Sequence, residues 1–195
     1  MSYPVYTTDA LVCSSVFSNG SDRFYQLFTE RFGMLYASAR GVRKESSRQR
    51  FAMQDFSLVR VSLIKGRMGW IVGSVESNGN VFLNCDKRHN RVTVINIVRL
   101  LRRYVQGEQV LSRIYKDACV SLKTATKNSV RVCKQLEDVF QVRMLADLGY
   151  VDTKTLIKDI VESNDFNVAF SYYRKEEHAH LIESIMNEIP ILSHL

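Results

Sequence analysis

The sequence lacks the features that mark membrane, secreted and zinc-binding proteins. No apolar run approaches the ~20 residues that a membrane-spanning helix needs, and the first residues, MSYPVYTTDALV, do not combine a basic segment with a long apolar stretch. The four cysteines are far apart, and no two have the C-x-x-C spacing that a structural zinc site favours. We therefore expect a globular cytoplasmic protein with free, buried thiols, no membrane contact and no metal.

Catalytic motifs are also missing from the sequence. Ser, His and Asp residues occur, but without a nucleophile elbow, a Walker loop or a pair of carboxylates at a catalytic spacing. His178 and His180 are two residues apart on a predicted helix, where they point to different faces and cannot readily share one metal ion. The sequence thus predicts a protein that is not an enzyme and needs no cofactor.

Positive charge is concentrated in the first half of the chain. The 195 residues carry a net charge of +7. Residues 1–105 contain 16 Lys and Arg against 7 Asp and Glu, whereas residues 106–195 contain 11 against 13. This asymmetry favours a polyanion-binding surface on one domain over a generally basic protein.

The densest cationic segment is residues 34–50, MLYASARGVRKESSRQR. Its period-two alternation predicts a strand that ends near Arg40, and Gly41 lets the chain leave that strand sharply. The loop that follows must face water or a polyanion, because unpaired guanidinium groups are costly to bury. Hydroxyl side chains between the arginines suit phosphate oxygens. A merely solvated basic loop is the alternative interpretation.

Two kinds of periodicity divide the chain. Residues 5–17, 23–28, 34–40, 56–64 and 68–75 read as short strands with turn residues between them, which is typical of a small closed barrel. From residue 90 the period is that of helices, predicted at 93–105 with Thr93 as the cap, at 109–123, at 129–148, from Asp152 or Thr153, and at 176–189. The first of these helices has an apolar stripe, and Arg99, Arg102 and Arg103 face away from it. The predicted fold class is α+β: a five-stranded oligonucleotide-binding (OB) barrel over residues 1–80, followed by an all-α helical domain over residues 81–195.

Several spaced motifs in the first domain resemble those of a known family. They are Ser21-Asp22-Arg23, Leu27-Phe28-Thr29-Glu30 with Gly33, Ala39-Arg40-Gly41-Val42-Arg43 with Ser47, Gln54-Asp55-Phe56-Ser57, Lys65-Gly66-Arg67 and Val75-Glu76. Together they resemble the N-terminal domain of the bacterial recombination mediator RecO. Residues 143–150, RMLADLGY, are similar to a segment in the middle of the family's helical domain. The chain differs from many RecO proteins in being short and in lacking a cysteine-rich zinc motif after Tyr150.

The resemblance implies a function in DNA repair and recombination. It implies binding of single- and double-stranded DNA, annealing of complementary strands and, with RecR, loading of RecA onto DNA covered by single-stranded DNA-binding protein. It also implies a nucleoid-associated location, and contact between the helical domain and the acidic, apolar C-terminal tail of the single-stranded DNA-binding protein. For that tail we expect a groove near residues 132–140 with a basic rim formed by Arg131, Lys134 and Arg143.

Physical reasoning and the resemblance give the same candidate DNA-binding residues. Tyr36 shares a strand face with Arg40, so a base could stack on its ring beside a cation, although packing in the barrel is an alternative role for Tyr36. The other candidates are cations of the loop, of the turn near residue 66 and of the junction between the domains: Arg43, Lys44, Arg48, Arg50, Lys65, Arg67, Arg88 and Arg91. A solvated linker is the alternative at the junction.

Two other functions fit the composition equally well. One is an RNA-binding or ribosome-associated barrel protein, whose basic surface would have the same composition. The other is a non-catalytic adaptor, in which the helices recruit partner proteins and the basic face is incidental.

Overall fold

A closed β-barrel forms the N-terminal part of the protein. The structure, a computed structural model, describes residues 3–17, 22–42, 49–150 and 158–173. The strands are β1 (Val5–Phe17), β2 (Arg23–Thr29), β3 (Gly33–Ala39), β4 (Ser57–Gly66) and β5 (Gly69–Asn80). They follow the order β1-β2-β3-β5-β4, and β4 pairs back with β1 to close the barrel. All neighbours are antiparallel except β3 and β5. This is the predicted OB fold, with a fifth strand that is longer than predicted.

Alternate residues of each strand fill the barrel. The interior contains Ala10, Val12, Tyr25, Leu27, Leu35, Ala37, Val59, Val61, Leu63, Trp70 and Val72. The intervening residues point outward, and several of them, including Leu11, Phe28 and Met34, are buried under helices rather than exposed. The run of four buried residues from Ala10 to Cys13 in β1 reflects this burial on both faces.

The described residues also form six helices. They are α1 (Gln49–Ala52), α2 (Arg88–Tyr104), α3 (Ser112–Ala125), α4 (Val130–Asp147), α5 (Lys158–Glu162) and α6 (Phe166–Tyr173). The prediction that the first long helix begins at Thr93 was wrong, because α2 begins five residues earlier, at Arg88. There the Asn90 side chain accepts a hydrogen bond of 3.1 Å from the Lys87 backbone N–H. Thr93 is buried inside α2 and does not cap it. The predicted helix at 176–189 lies outside the described residues.

The barrel and the helices share one hydrophobic core. Phe28 of β2 packs against Tyr115 of α3 with ring centroids 5.6 Å apart, and both belong to a cluster that includes the inner faces of α2 and α4. The connection after α2 is fixed to the barrel, since Met34 donates a backbone hydrogen bond of 3.1 Å to the Gly107 carbonyl. These contacts set the position of α2 relative to β2 and β3. Over the described ranges, no helix has the length and apolar character needed to cross a bilayer.

A buried ion pair connects three helices. Arg143 of α4 is 0% exposed, and its Nε donates a hydrogen bond of 2.8 Å to Oδ2 of Asp117 in α3. Arg143 also donates to the carbonyl of Ile160 in α5. Since the last carbonyls of a helix have no partner within it, this contact satisfies one such group at the end of α5. Arg143 is therefore a structural residue, and our prediction that it forms part of an exposed basic rim was wrong.

All four cysteines are free. Cys13, Cys85 and Cys133 are buried, and Cys119 is half-buried. Burial raises the pKa of the Cys13 thiol to about 12, so that thiol is protonated at neutral pH and unreactive in the folded protein.

Candidate nucleic-acid interface

The outward face of β2 and β3 is half covered and half open. Phe28 and Met34, at one end, are buried under helices. At the other end, the rings of Phe24 and Tyr36 are 47% and 68% exposed. Gln26 lies opposite Tyr36 in the strand register and so marks the boundary between the covered and the open part.

Two aromatic rings on this open face can serve as stacking platforms. The register pairs Phe24 with Ser38 and Gln26 with Tyr36, so the two rings are diagonal neighbours on adjacent strands. The exposure of Tyr36 excludes the alternative role in which its ring packs inside the barrel. Every base has a π-face, so exposed rings on a strand surface favour binding of single-stranded nucleic acid without sequence preference. Phe24 was not among the residues predicted from the sequence. Its alternation with Tyr25 in β2 is the signal that places its ring on the outward face.

Arg40 lies at the end of this face. It is exposed and directly follows β3. The next residue, Gly41, has a φ of +65°, and its backbone N–H donates a hydrogen bond of 2.9 Å to Oδ1 of Asp22. The positive φ is the backbone role predicted for this glycine. The turn thus holds Arg40 beside the open part of the β2–β3 face.

The cationic loop is anchored at both ends, although its central residues are not described. Arg43, Lys44 and Arg48 lie outside the described residues. Before the loop, Val42 is buried, and after it, the Gln49 side chain donates a hydrogen bond to the Gly73 carbonyl of β5. The loop therefore leaves and rejoins the protein at the barrel.

A cavity opens beside the two anchors of this loop. It has a volume of about 360 Å³ and is lined by Phe17, Arg23, Val42 and Arg50. Arg50 is exposed, with its guanidinium carbon 5.9 Å from the centroid of the Phe51 ring. The guanidinium carbon of Arg23 lies 4.6 Å from the centroid of the Phe17 ring. Two arginines, each beside an aromatic ring, extend the cationic and aromatic character of the open face toward the loop.

The turn between β4 and β5 contributes less positive charge than the sequence predicts. Lys65 Nζ lies 2.9 Å from Oε2 of Glu108, and Trp70 Nε1 donates a hydrogen bond of 2.9 Å to Oε1 of the same carboxylate. The hydrogen bond from Lys65, followed by that from Trp70, lowers the pKa of Glu108. Lys65 is thus already paired with a carboxylate of the protein. Arg67 is exposed and forms no ion pair with any described residue.

Helix α2 brings further cations to the edge of the β2–β3 face. Arg88 and Arg91, both predicted as candidates, are exposed on its first half. Arg102, on its second half, donates a hydrogen bond of 3.0 Å from Nε to Oε1 of Gln26, so it lies at the boundary of the open face. Sequence reasoning assigned Arg99, Arg102 and Arg103 to solvent. The signal that could have found them is the absence of any carboxylate between Asp86 and Glu108.

Two of the three residues predicted for binding a partner tail are exposed on α4. Arg131 and Lys134 are both exposed, and Lys134 lines a groove of about 690 Å³ between α2 and α4. The other lining residues are Arg88, His89, Val92, Thr93, Val130, Cys133, Glu137 and Asp138. Arg143, the third predicted residue, is buried against Asp117 and does not reach this groove.

No metal site was found in the described part of the chain, where no three His, Cys, Asp or Glu side chains are close enough together to hold an ion. His178 and His180 lie outside the described residues.

Comparison with known proteins agrees with the geometry of the barrel. Residues 1–72 match the family described as Recombination protein O N terminal. Over 63 residues the chain is 44% identical to proteins named DNA repair protein RecO from two strains of Desulfitobacterium hafniense, DSM 10664 / DCB-2 and Y51. The barrel is thus similar in sequence to RecO N-terminal domains. The similarity covers 32% of this chain and 23% of each relative, so the chain matches about a quarter of the length of these RecO proteins.

The similarity to RecO proteins is confined to residues of the barrel and of α1. The helices after residue 80 lie beyond the matched residues. The open part of the β2–β3 face, Arg40, Val42 and Gln49 lie within the matched residues, whereas α2 and the groove between α2 and α4 lie outside them.

Proposed function

We propose that the protein is a non-catalytic mediator of DNA repair. It binds single- and double-stranded DNA, anneals complementary strands and, with RecR, helps to load RecA onto single-stranded DNA. The observation that carries this proposal is the open β2–β3 face, where the exposed rings of Phe24 and Tyr36 lie between Arg40 and Arg102. The RecO N-terminal domain and its relatives, which are named as DNA repair proteins, support the same function.

The proposed contacts explain binding that does not depend on sequence. Bases stack on the two rings while arginines bind the phosphates, and neither contact reads the edges of bases. If six to eight phosphates are neutralised, the logarithm of the association constant for a single strand should fall with the logarithm of salt concentration with a slope of roughly −4 to −6. A titration of labelled single-stranded DNA at several salt concentrations measures this slope.

Reversing the charge of the loop should weaken both DNA binding and annealing. In the variant with Arg43→Glu, Lys44→Glu and Arg48→Glu, we expect the magnitude of the salt slope to fall by about two, because roughly one phosphate contact is lost per residue and each contributes about 0.7 for a single strand. Strand annealing, followed with fluorescently labelled complementary strands, should slow by at least about tenfold. The matched control reverses three exposed lysines of the helical part of the protein: Lys123, Lys127 and Lys158. Unchanged annealing in the loop variant would remove the loop from the mechanism.

A competition experiment distinguishes this function from RNA binding. Unlabelled single-stranded DNA and RNA of equal length compete for the protein bound to labelled DNA. The DNA-repair function predicts that DNA competes at least as well as RNA. A strong preference for RNA would instead favour the RNA-binding or ribosome-associated alternative.

The step with RecR is tested with its own assay. RecA filament assembly is followed on single-stranded DNA coated with its binding protein, with this protein and RecR added separately and together. We expect assembly to be faster only when both are present. Equal rates in all mixtures would remove RecA loading from the proposed function.

The groove between α2 and α4 is the proposed site for the tail of the single-stranded DNA-binding protein. The exposed side chains of Val92 and Val130 offer apolar contact. Arg88 and Lys134 place two cations in the lining, which also contains the carboxylates of Glu137 and Asp138, so an acidic tail would contact the side of the groove formed by the two cations. This combination suits a peptide that is both acidic and apolar.

Reversing one charge in the groove lining should weaken binding of the tail. With Lys134→Glu, we expect the dissociation constant of a fluorescent tail peptide to rise by about tenfold, the effect of losing one charge-assisted contact. Lys127→Glu, which changes an exposed lysine outside the groove lining, is the control. Equal affinity in the two variants would place the tail elsewhere.

A further inference from the structure

One side of α2 carries five arginines, two in its first turn and three in its last two turns. We call the set Arg88, Arg91, Arg99, Arg102 and Arg103 the arginine face; all five side chains are exposed. At 3.6 residues per turn they fall on the same side of the helix, and at 1.5 Å per residue they extend over about 22 Å. The helix itself contains no Asp or Glu, so none of this charge is balanced within it.

The neighbouring elements leave most of this charge uncompensated. Among the described residues, Arg88, Arg91 and Arg99 take part in no ion pair. Two carboxylates of α4 border the face. Glu137 lines a groove with Arg99 and Arg103 and accepts a hydrogen bond of 2.9 Å from the Asn96 amide, and Asp138 lines the neighbouring groove with Arg88. Clustered cations repel one another, so a surface of this kind favours a polyanion as its partner.

The arginine face begins where the open β2–β3 face ends. Arg102 donates to Gln26, and Gln26 lies opposite Tyr36 on the neighbouring strand. Residues directly opposite each other in antiparallel strands are about 5 Å apart, so one residue pair separates the arginine face from the first stacking ring. The protein thus presents two adjacent surfaces of different character, one with exposed aromatic rings and cations and the other with arginines and the exposed side chain of Val92.

We propose that the arginine face binds a second nucleic-acid strand beside the strand held on the β2–β3 face. The proposal rests on the proposed function and adds a separate site for the second strand in annealing. A flexible polyanion fits a cationic track about 22 Å long. A track without exposed aromatic rings holds the strand by its phosphates and leaves its bases free to pair. Guanidinium groups between two backbones lie within the screening length of about 8–10 Å and reduce the repulsion between the strands.

Native mass spectrometry of the full chain with short oligothymidine strands tests this proposal. Thymidine strands cannot pair with one another, so two strands bound to one protein chain report two sites and not a duplex. The variant Arg99→Glu/Arg103→Glu reverses two charges of the arginine face and leaves Arg102 and the β2–β3 face unchanged. The control Lys123→Glu/Lys127→Glu makes the same change of charge at the end of α3 and in the turn after it. Thermal unfolding of both variants checks that they are folded.

We expect the wild type and the control to bind two strands per chain. In the arginine-face variant, the second dissociation constant should rise at least tenfold, which corresponds to about 1.4 kcal/mol, while the first changes less than about threefold. The magnitude of the salt slope of the second step should fall by about 1.4, since two phosphate contacts of a single strand are lost. Annealing should slow in parallel with loss of the second strand.

Four outcomes would overturn the proposal, and the last of them also concerns the proposed function. A wild type that binds one strand per chain, or a variant that still binds two with unchanged affinity, shows that the arginine face is not a second site. A variant that loses the first strand as strongly as the second shows that the arginine face belongs to the first site. A wild type that binds no strand at all contradicts the proposed function itself.

Discussion

Replacing Asp117 by alanine is expected to lower the free energy of unfolding by about 3–5 kcal/mol. The reason is that the change leaves the Arg143 guanidinium, which is 0% exposed, without its counter-charge. Its Nη2 already has no hydrogen-bond partner among the described residues, so the folded protein offers no substitute acceptor there. Urea unfolding followed by circular dichroism, with the wild type measured in parallel, gives the change in free energy.

Two further variants show that the effect comes from the buried charge. Asp117→Leu/Arg143→Met removes both charges and keeps apolar bulk, so it should recover most of the lost stability. Lys158→Ala breaks an exposed ion pair with Glu162, whose nitrogen and oxygen are 3.8 Å apart, and should cost less than about 1 kcal/mol. If Asp117→Ala costs no more than Lys158→Ala, the buried pair does not stabilise the packing of α3, α4 and α5.

The barrel could be predicted because its signals are local. Alternation of side chains, turn residues between the strands and glycine at the bends are visible in short windows, and they specified all five strands. What alternation does not show is which outward-facing residues are covered. Phe28 and Met34 face outward as Phe24 and Tyr36 do, yet only the first two lie under helices. That difference depends on where α2 and α3 pack, which is a tertiary property.

The helical part was harder to predict because its key contacts join residues distant in sequence. Arg143 looked like a surface cation because its partner, Asp117, is 26 residues away on another helix. The start of α2 was not predicted because Lys87, which precedes the helix, is not a typical capping residue. The Asn90 side chain instead accepts a hydrogen bond from the backbone N–H of Lys87.

The candidate interface shows the same division between local and tertiary information. Composition identified the cationic loop, and strand alternation put Tyr36 and Arg40 on one side. Arg102 was assigned to solvent because it lies opposite the apolar stripe of α2. Its contact with Gln26, 76 residues away, is what brings α2 to the β2–β3 face, and only the structure shows it.

Replacing Gly33 by alanine is expected to lower the free energy of unfolding by about 2–5 kcal/mol, from backbone strain and overpacking together. Gly33 has a φ of +70°, and an added Cβ would lie 2.2 Å from the carbonyl oxygen of Gln109 and 2.9 Å from that of Gly107. Both neighbours are backbone atoms, so they cannot rotate away as the end of a side chain can. The connection between α2 and α3 must therefore move away from β3, against the hydrogen bond from Met34 to Gly107.

Gly107→Ala is the matched control, because it separates strain from steric contact. Gly107 has a φ of +74°, but a Cβ there would meet no atom within 4 Å, so the expected cost is only the roughly 1–2 kcal/mol of a non-glycine residue in the left-handed region. The difference between the two variants, measured by urea unfolding under the same conditions, isolates the close approach of β3 to residues 107–109. Equal destabilisation would mean that this approach is looser than the structure shows. A larger loss in Gly33→Ala would show that the close packing of this connection stabilises the arrangement of α2 beside the β2–β3 face.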